Sequence, residues 1–268
     1  MKIFTITLAY NQPWIIEQSI KQYYLKNGIK PHKHFFVNNH YPLVDRDKNE
    51  KFLKHLSHQY NLEYIDFGEN KGLEQSIYSL GEYISEDDLS IIYDCNNFVL
   101  THNFDSKMFE LYKQKISMDN SIAIGLSNEY TKFDNYYEKK NIKYYLQEKN
   151  NDLNQYNKWV CSTVMMHKEH GRNYIANDNN SFYRDPYLNE KPDHKVYILK
   201  DYKEYINYFY TMEDHEYNLY KMCSHFLKIN QTFESFVLRK DLKELQTKLL
   251  NNETFKKTKN RIVDYDKI

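Results

Sequence analysis

The residues best placed to do chemistry stand at the end of the apolar run Leu89-Ser-Ile-Ile-Tyr93, where Asp94 is followed by Cys95, Asn96 and Asn97. An apolar run that stops at a carboxylate and two amides reads as a buried strand delivering Asp94 to a sheet edge. In open α/β sheets ligands bind in the crevice beyond the carboxyl ends of the strands, so Asp94 stands where a nucleotide phosphate or its metal would sit. Three more polar loops follow apolar stretches: Tyr10-Asn11-Gln12-Pro13, Asn38-Asn39-His40-Tyr41-Pro42 and Gly68-Glu69-Asn70-Lys71-Gly72. Each also has a plain structural explanation, because Asn, Gly and Pro are the ordinary residues of turns and helix caps.

What must position these residues is an alternation of strands and helices. Lys2–Leu8 alternates apolar residues with Thr and leads, past Pro13, into an amphipathic stretch from Trp14 to Leu25. His34–Val37 and Leu62–Phe67 read as the second and third strands, Phe52–Tyr60 and Leu73–Ile84 as helices, and the run into Asp94 as the fourth strand. This order predicts an α/β fold: a mostly parallel, Rossmann-like sheet flanked by helices, with right-handed crossovers that bring the loops at Asn11, Asn38, Asn70 and Asp94 to one edge. Beyond Phe104 the regularity weakens. A helix is expected near Lys107–Lys115 and a strand near Ile122–Leu126. A Tyr/Asn/Lys-rich, loop-rich stretch to Lys158 follows, then a strand over Trp159–His167 and a polar loop from Gly171 to Pro192. Tyr217, Tyr220 and Phe226 fit one helix face, and the tail from about Lys228 carries a basic, Leu-containing helical pattern without a core of its own.

Composition excludes several classes. A chain of 268 residues can bury a substantial core. Lys+Arg and Asp+Glu balance at 37 each, so no global field steers it to duplex nucleic acid or an anionic membrane. Cys95, Cys161 and Cys223 form no C-x-x-C pair, which argues against a disulfide framework or a thiolate zinc site and fits a reducing cytoplasm. Cys95 has neither a basic neighbour nor a partner thiol to make it reactive. Without a signal-peptide pattern or a membrane-spanning run, the expectation is a soluble cytoplasmic protein, at most peripheral to a membrane. The first loop lacks the glycines of a phosphate cradle, which argues against a nucleotidyltransferase or an NAD-binding enzyme.

Taken in order, Ala9-Tyr10-Asn11, Val37-Asn38-Asn39, Asn70-Lys71-Gly72, Asp94-Cys95-Asn96 and Glu213-Asp214 resemble the GT-A glycosyltransferases, in particular the family-2 inverting enzymes, over residues 2–227. The resemblance implies a GT-A-like domain over 1–227, with a nucleotide-sugar half at about 1–115, a loop-rich acceptor half at about 116–227, and a helical extension over 228–268. It implies that Tyr10, Asn11, Asn38, Asn70, Lys71, Asp94 and Asn96 meet the nucleotide sugar. Asp94 and Asn96 stand as a degenerate D-x-D motif for a divalent cation, Mn²⁺ or Mg²⁺. Asn38 replaces the aspartate usual after the second strand, and Asn96 offers a neutral oxygen, weaker than a carboxylate for a hard cation.

The same resemblance makes Asp214 the general base and Glu213 its positioning or acceptor-contacting neighbour, although Thr211-x-x-Asp214 is also a capping pattern. His215 or His225 would be a further metal ligand. Lys71 and Arg172 are candidates to neutralise the diphosphate, and Trp159 to stack on a sugar. The implied reaction moves a sugar from a nucleoside-diphosphate donor to an acceptor hydroxyl. The acceptor is a glycan first, with a protein or a hydroxylated base in DNA as alternatives. The basic tail around Arg239, Lys240, Lys256, Lys257, Lys259 and Arg261 offers weak support for DNA. A protein of the same fold that binds nucleotide or glycan without catalysis is the alternative.

Overall fold

The computed structural model describes residues 1–10, 13–41, 44–85, 87–95, 97–99, 101–115, 122–128, 136–147, 163–167, 195–205 and 247. The chain divides into two compact units, Met1–Ile206 and Asn207–Ile268. Asn11, Asn96, Trp159, Arg172, Glu213, Asp214, His215 and His225 lie outside the described residues, as do the expected loop over 171–192 and the helical tail.

In the first unit, β1 (Ile3–Ala9) leads into α1 (Pro13–Lys26), β2 (Lys33–Asn38) into α2 (Arg46–Tyr60), and β3 (Glu63–Asp66) into α3 (Gly72–Leu80). β4 (Leu89–Tyr93) is followed by the short β5 (Phe98–Val99), α4 (Phe104–Lys115), β6 (Ile122–Asn128), β7 (Tyr137–Lys139), β8 (Ile142–Gln147), β9 (Thr163–His167) and β10 (Lys195–Tyr205). The expected architecture is present: one large α/β sheet flanked by helices, in the order β3-β2-β1-β4-β9-β6-β10-β8-β7, with β5 on β10. β3, β2, β1 and β4 run parallel to one another, as β6 and β10 do. β9 lies antiparallel between β4 and β6, and β8 and β5 run antiparallel to β10.

The period of two along β1 and β2 explains how helices cover both faces. Phe4, Ile6, Leu8, Phe35 and Val37 pack with Leu80 and Ile84 on one face, while Ala9 and Phe36 pack with Ile16, Ile20, Leu53 and Leu56 on the other. Thr5 and Thr7 share the second face. Their buried hydroxyls are satisfied by the Tyr23 hydroxyl at 2.6 Å and by His34 Nε2 at 3.0 Å. β4 is buried on both faces, with Leu89, Ile91 and Tyr93 toward α4 and Ile92 away from it, which accounts for its mostly apolar sequence.

Three expectations need correction. α2 begins at Arg46 rather than Phe52, because Asp45 caps it by accepting the Lys48 N–H at 2.9 Å and its first turns are too polar to show periodicity. The stretch read as loop-rich to Lys158 contains the β7–β8 hairpin, whose turn places Lys140 and Asn141 at φ 50° and 62° without the glycine that marks such turns. β10 was not expected as a strand, since Lys and Asp residues interrupt it. Its core Tyr197, Ile198 and Leu199 is nonetheless buried between β6 and β8. Among the described residues no helix is long and apolar enough to cross a membrane.

Candidate functional site

The polar loops at the carboxyl ends of β1, β2, β3 and β4 are bonded to one another. The Tyr10 N–H points at the Cys95 sulfur at 3.4 Å, joining the end of β1 to the loop after β4. Asn39 donates its N–H to the Ala9 carbonyl at 3.1 Å and accepts the Lys71 N–H on its own Oδ1 at 3.1 Å. The side chain of Asn70 meets the Tyr10 hydroxyl. Burial raises the Tyr10 phenol and the Asn70 bond offsets part of that. Tyr10 also packs edge-on against Tyr41 with ring centres 5.4 Å apart. Of the expected site residues, Tyr10, Asn70, Lys71 and Asp94 therefore lie on one sheet edge. The Lys71 ammonium rests 4.5 Å over the Phe67 ring.

Strand order decides which of these loops flanks the crevice. The chain runs outward from β1 to β2 and β3, then returns to place β4 on the other side of β1, so the order reverses between β1 and β4. That switch point is where open α/β sheets bind ligands, and Tyr10 and Asp94 flank it. Asp94 is exposed, while the turn that carries it is fixed through its backbone. Ser19 on α1 donates to the Asp94 carbonyl at 3.4 Å and to the Asn97 carbonyl at 2.7 Å. The Tyr93 hydroxyl donates to the Ser19 and Asn97 carbonyls at 3.1 and 2.8 Å. The Asn97 N–H closes back on the Asp94 carbonyl at 3.0 Å, and the Asn97 amide, fully buried, bonds Thr163 on β9. β5, directly after this turn, is pinned to the end of β10. Cys95 is buried, and burial followed by the nearby Asp94 charge pushes its thiol up, so it serves packing rather than nucleophilic chemistry.

Asp66 is a residue that the sequence reading passed over, treating it as part of a strand. It ends β3 beside Asn38 in the parallel register, and four donors fill its two oxygens. His40 Nε2 at 2.7 Å and the Gly68 N–H at 2.7 Å reach Oδ1; Asn38 Nδ2 and the Tyr64 hydroxyl, both at 3.1 Å, reach Oδ2. Partial burial pushes the carboxyl up, but these bonds outweigh it and hold Asp66 below the usual carboxylate range. Asn38 is 2% exposed and its amide is spent on Tyr64, Asp66 and the His40 N–H, so its direct work is to hold its neighbours. A signal for Asp66 was present: Asp66-x-Gly68 repeats the spacing of Asn70-x-Gly72. In both, the side chain accepts the glycine N–H two residues on, and both glycines have positive φ, 78° and 71°.

For a divalent cation the donor set is specific. Asp94 presents an exposed carboxylate at the switch point, while no group of three or more His, Cys, Asp or Glu able to hold a metal occurs among the described residues. Such a position suits an ion that takes one or two carboxylates from the protein and the rest of its oxygens from substrate phosphates and water, the usual habit of Mg²⁺.

No family model matches the sequence, and no curated protein matches it. Among solved structures the chain is similar to S. aureus TarS 1–349 in complex with UDP-GlcNAc, at 13% identity and a TM-score of 0.51, covering 94% of this chain and 72% of that one. It is similar to the same protein in complex with UDP, at 12% identity and a TM-score of 0.50, covering 94% and 71%. It is also similar to the mannosyltransferase PcManGT from Pyrobaculum calidifontis, at 11% identity and a TM-score of 0.44, covering 84% and 62%. The likeness to TarS is one of fold: the chain has the α/β sheet and flanking helices of the GT-A glycosyltransferases.

Proposed function

We propose that the chain is an inverting, family-2-like glycosyltransferase that moves a sugar from a nucleoside-diphosphate donor to an acceptor hydroxyl. The observation that carries this reading is the cross-bonded set of loops on the carboxyl edge of β3-β2-β1-β4, with exposed Asp94 at the switch point. The shared fold with TarS, solved in complex with UDP-GlcNAc, supports a nucleotide-sugar donor.

In this reading Tyr10, Asn11 and Asn70 line the nucleotide, Asn38 fixes the loop after β2, and Lys71 leaves Phe67 to meet the diphosphate. Asp94 and Asn96 are the residues that would hold a divalent cation, Mn²⁺ or Mg²⁺. When bound, the cation neutralises charge on the departing diphosphate. Asp214 takes the proton of the acceptor hydroxyl. The freed oxygen attacks the anomeric carbon from the face opposite the diphosphate, and the bond from that carbon to the diphosphate oxygen breaks with its electron pair. Glu213 orients the acceptor. The roles of Glu213 and Asp214 rest on the sequence resemblance. The acceptor is a glycan, the occupation commonest for the family resembled.

The test is a screen of nucleotide sugars, each with and without Mn²⁺, for release of nucleoside diphosphate. Release by the native chain that is lost in both Asp94→Ala and Asp214→Ala supports the assignment. Equal release from the native chain and both variants contradicts it.

A further inference from the structure

A second polar centre stands beside the crevice on β2 and β3. With four donors on its two oxygens, the Asp66 carboxylate has no acceptor capacity left to offer a ligand. His40 is different. Its backbone sits at φ 48°, a left-handed conformation in which histidine, like asparagine and aspartate, is enriched among non-glycine residues. Its side chain is 13% exposed, and Nε2 contacts Asp66 at 2.7 Å. An ionised carboxylate only accepts, so Nε2 carries a proton, and the tautomer with that single proton has its lone pair on Nδ1. Nδ1 has no partner among the described residues. A left-handed backbone and a hydrogen-bonded network thus combine to hold one imidazole with one acceptor atom unspent.

The distance across the sheet suits a nucleoside. β2 is two strands from β4 in the order β2-β1-β4. At the usual strand spacing that is about 10 Å, which matches the reach of a nucleoside from its diphosphate to its base. With a diphosphate at Asp94, the base falls near the end of β2, next to the Tyr10 and Tyr41 rings. Asn38, whose amide is committed, cannot read a base edge there.

We propose that His40, oriented by Asp66, reads the base of the bound nucleotide by accepting its ring N–H at Nδ1. This rests on the nucleotide-sugar reading of the crevice and adds a base selection to it. Uracil presents such an N–H at N3 and guanine at N1, whereas cytosine N3 and adenine N1 present lone pairs and repel the imidazole's own. His40 is the specificity-determining residue and Asp66 a positioning residue that acts through it.

The experiment titrates UDP, CDP, GDP and ADP, each with Mn²⁺, into the full chain by calorimetry and compares bases of equal size. The native chain is expected to favour UDP over CDP, or GDP over ADP, by about tenfold, the usual consequence of a buried polar group left unmet by the wrong ligand. His40→Gly takes the positive φ without strain and should cut that ratio to about threefold or less. His40→Asn, also at home at positive φ, is the second variant should the glycine chain fail to fold. Asp66→Asn supplies an amide N–H to Nε2 and lets the ring proton move to Nδ1, so it should lower or reverse the ratio, which loss of stability alone cannot do. Binding without base preference in the native chain, or an unchanged ratio in a folded His40 variant, overturns the proposal and leaves the nucleotide-sugar reading intact. Failure of all four diphosphates to bind overturns both.

Discussion

Two carboxylates end neighbouring parts of the same sheet edge with opposite fates. Asp66, the last residue of β3, is filled by four donors and titrates below the usual carboxylate range; Asp94, after β4, is exposed while the backbone of its turn is held by Ser19, Tyr93 and Asn97. In the first case the side chain is the fastener and the loop depends on it. In the second the turn is held through its backbone and the carboxylate stands exposed at the crevice. An exposed carboxylate whose turn is held through its backbone is the one that binding chemistry can reach, and the two residues should separate when each is removed.

The largest separation is expected in turnover. Asp94→Ala should lower donor turnover by about 10²–10³-fold, the usual cost of removing a group that stabilises developing charge, and leave urea unfolding within about 0.5 kcal/mol of the native chain. Asp66→Ala should do the reverse in stability, costing about 2 kcal/mol by urea unfolding, because it strands donors from His40, Gly68, Asn38 and Tyr64 at a partly exposed site. Equal stability losses in the two variants would break the comparison.

Acid sharpens it. The Asp66 carboxyl is held below its ordinary value of 3.8, so its contribution is present above about pH 3.8 and is lost only as pH falls below that. His34, fully buried between Thr7 and Tyr24, is pushed by burial from 6.5 to about 3 and folds uncharged. Its depressed value means that the unfolded chain binds the proton first. Stability is therefore complete above about pH 6.5 and declines as pH falls toward 3. Between pH 6.5 and 5 the native chain should lose about 1–2 kcal/mol, and His34→Gln should lose that slope while keeping the steeper loss below pH 4. The smallest effect belongs to Ser19→Ala, which removes two bonds from the Asp94 turn. It should cost about 1 kcal/mol in urea unfolding and weaken diphosphate binding a few-fold by calorimetry, without touching the carboxylate.

Much of the edge was legible because its turns announce themselves. Asn70 and Gly72 form the side-chain-to-backbone turn that their spacing demands, and β4 shows the mostly apolar sequence of a strand buried on both faces. Asp66 was hidden by its place inside an apolar run, although its spacing to Gly68 carries the same message as Asn70 to Gly72. The commitment of Asn38 was not legible, because it depends on the parallel register that sets it opposite Asp66, a pairing between residues 28 apart in sequence. β7–β8 and β10 escaped for a related reason. Their turn uses Lys140 and Asn141 at positive φ with no glycine, and their polar residues obscure the alternation that the antiparallel pairing restores.

The most direct test of Asp94 as the ligand-binding carboxylate is calorimetric titration of a nucleoside diphosphate with Mn²⁺ into the native chain and into Asp94→Ala, using whichever of UDP, CDP, GDP and ADP binds the native chain tightest. The account predicts saturable binding to the native chain and at least about tenfold weaker binding to the variant, with unfolding in the absence of nucleotide unchanged. Equal affinity in the two proteins contradicts it.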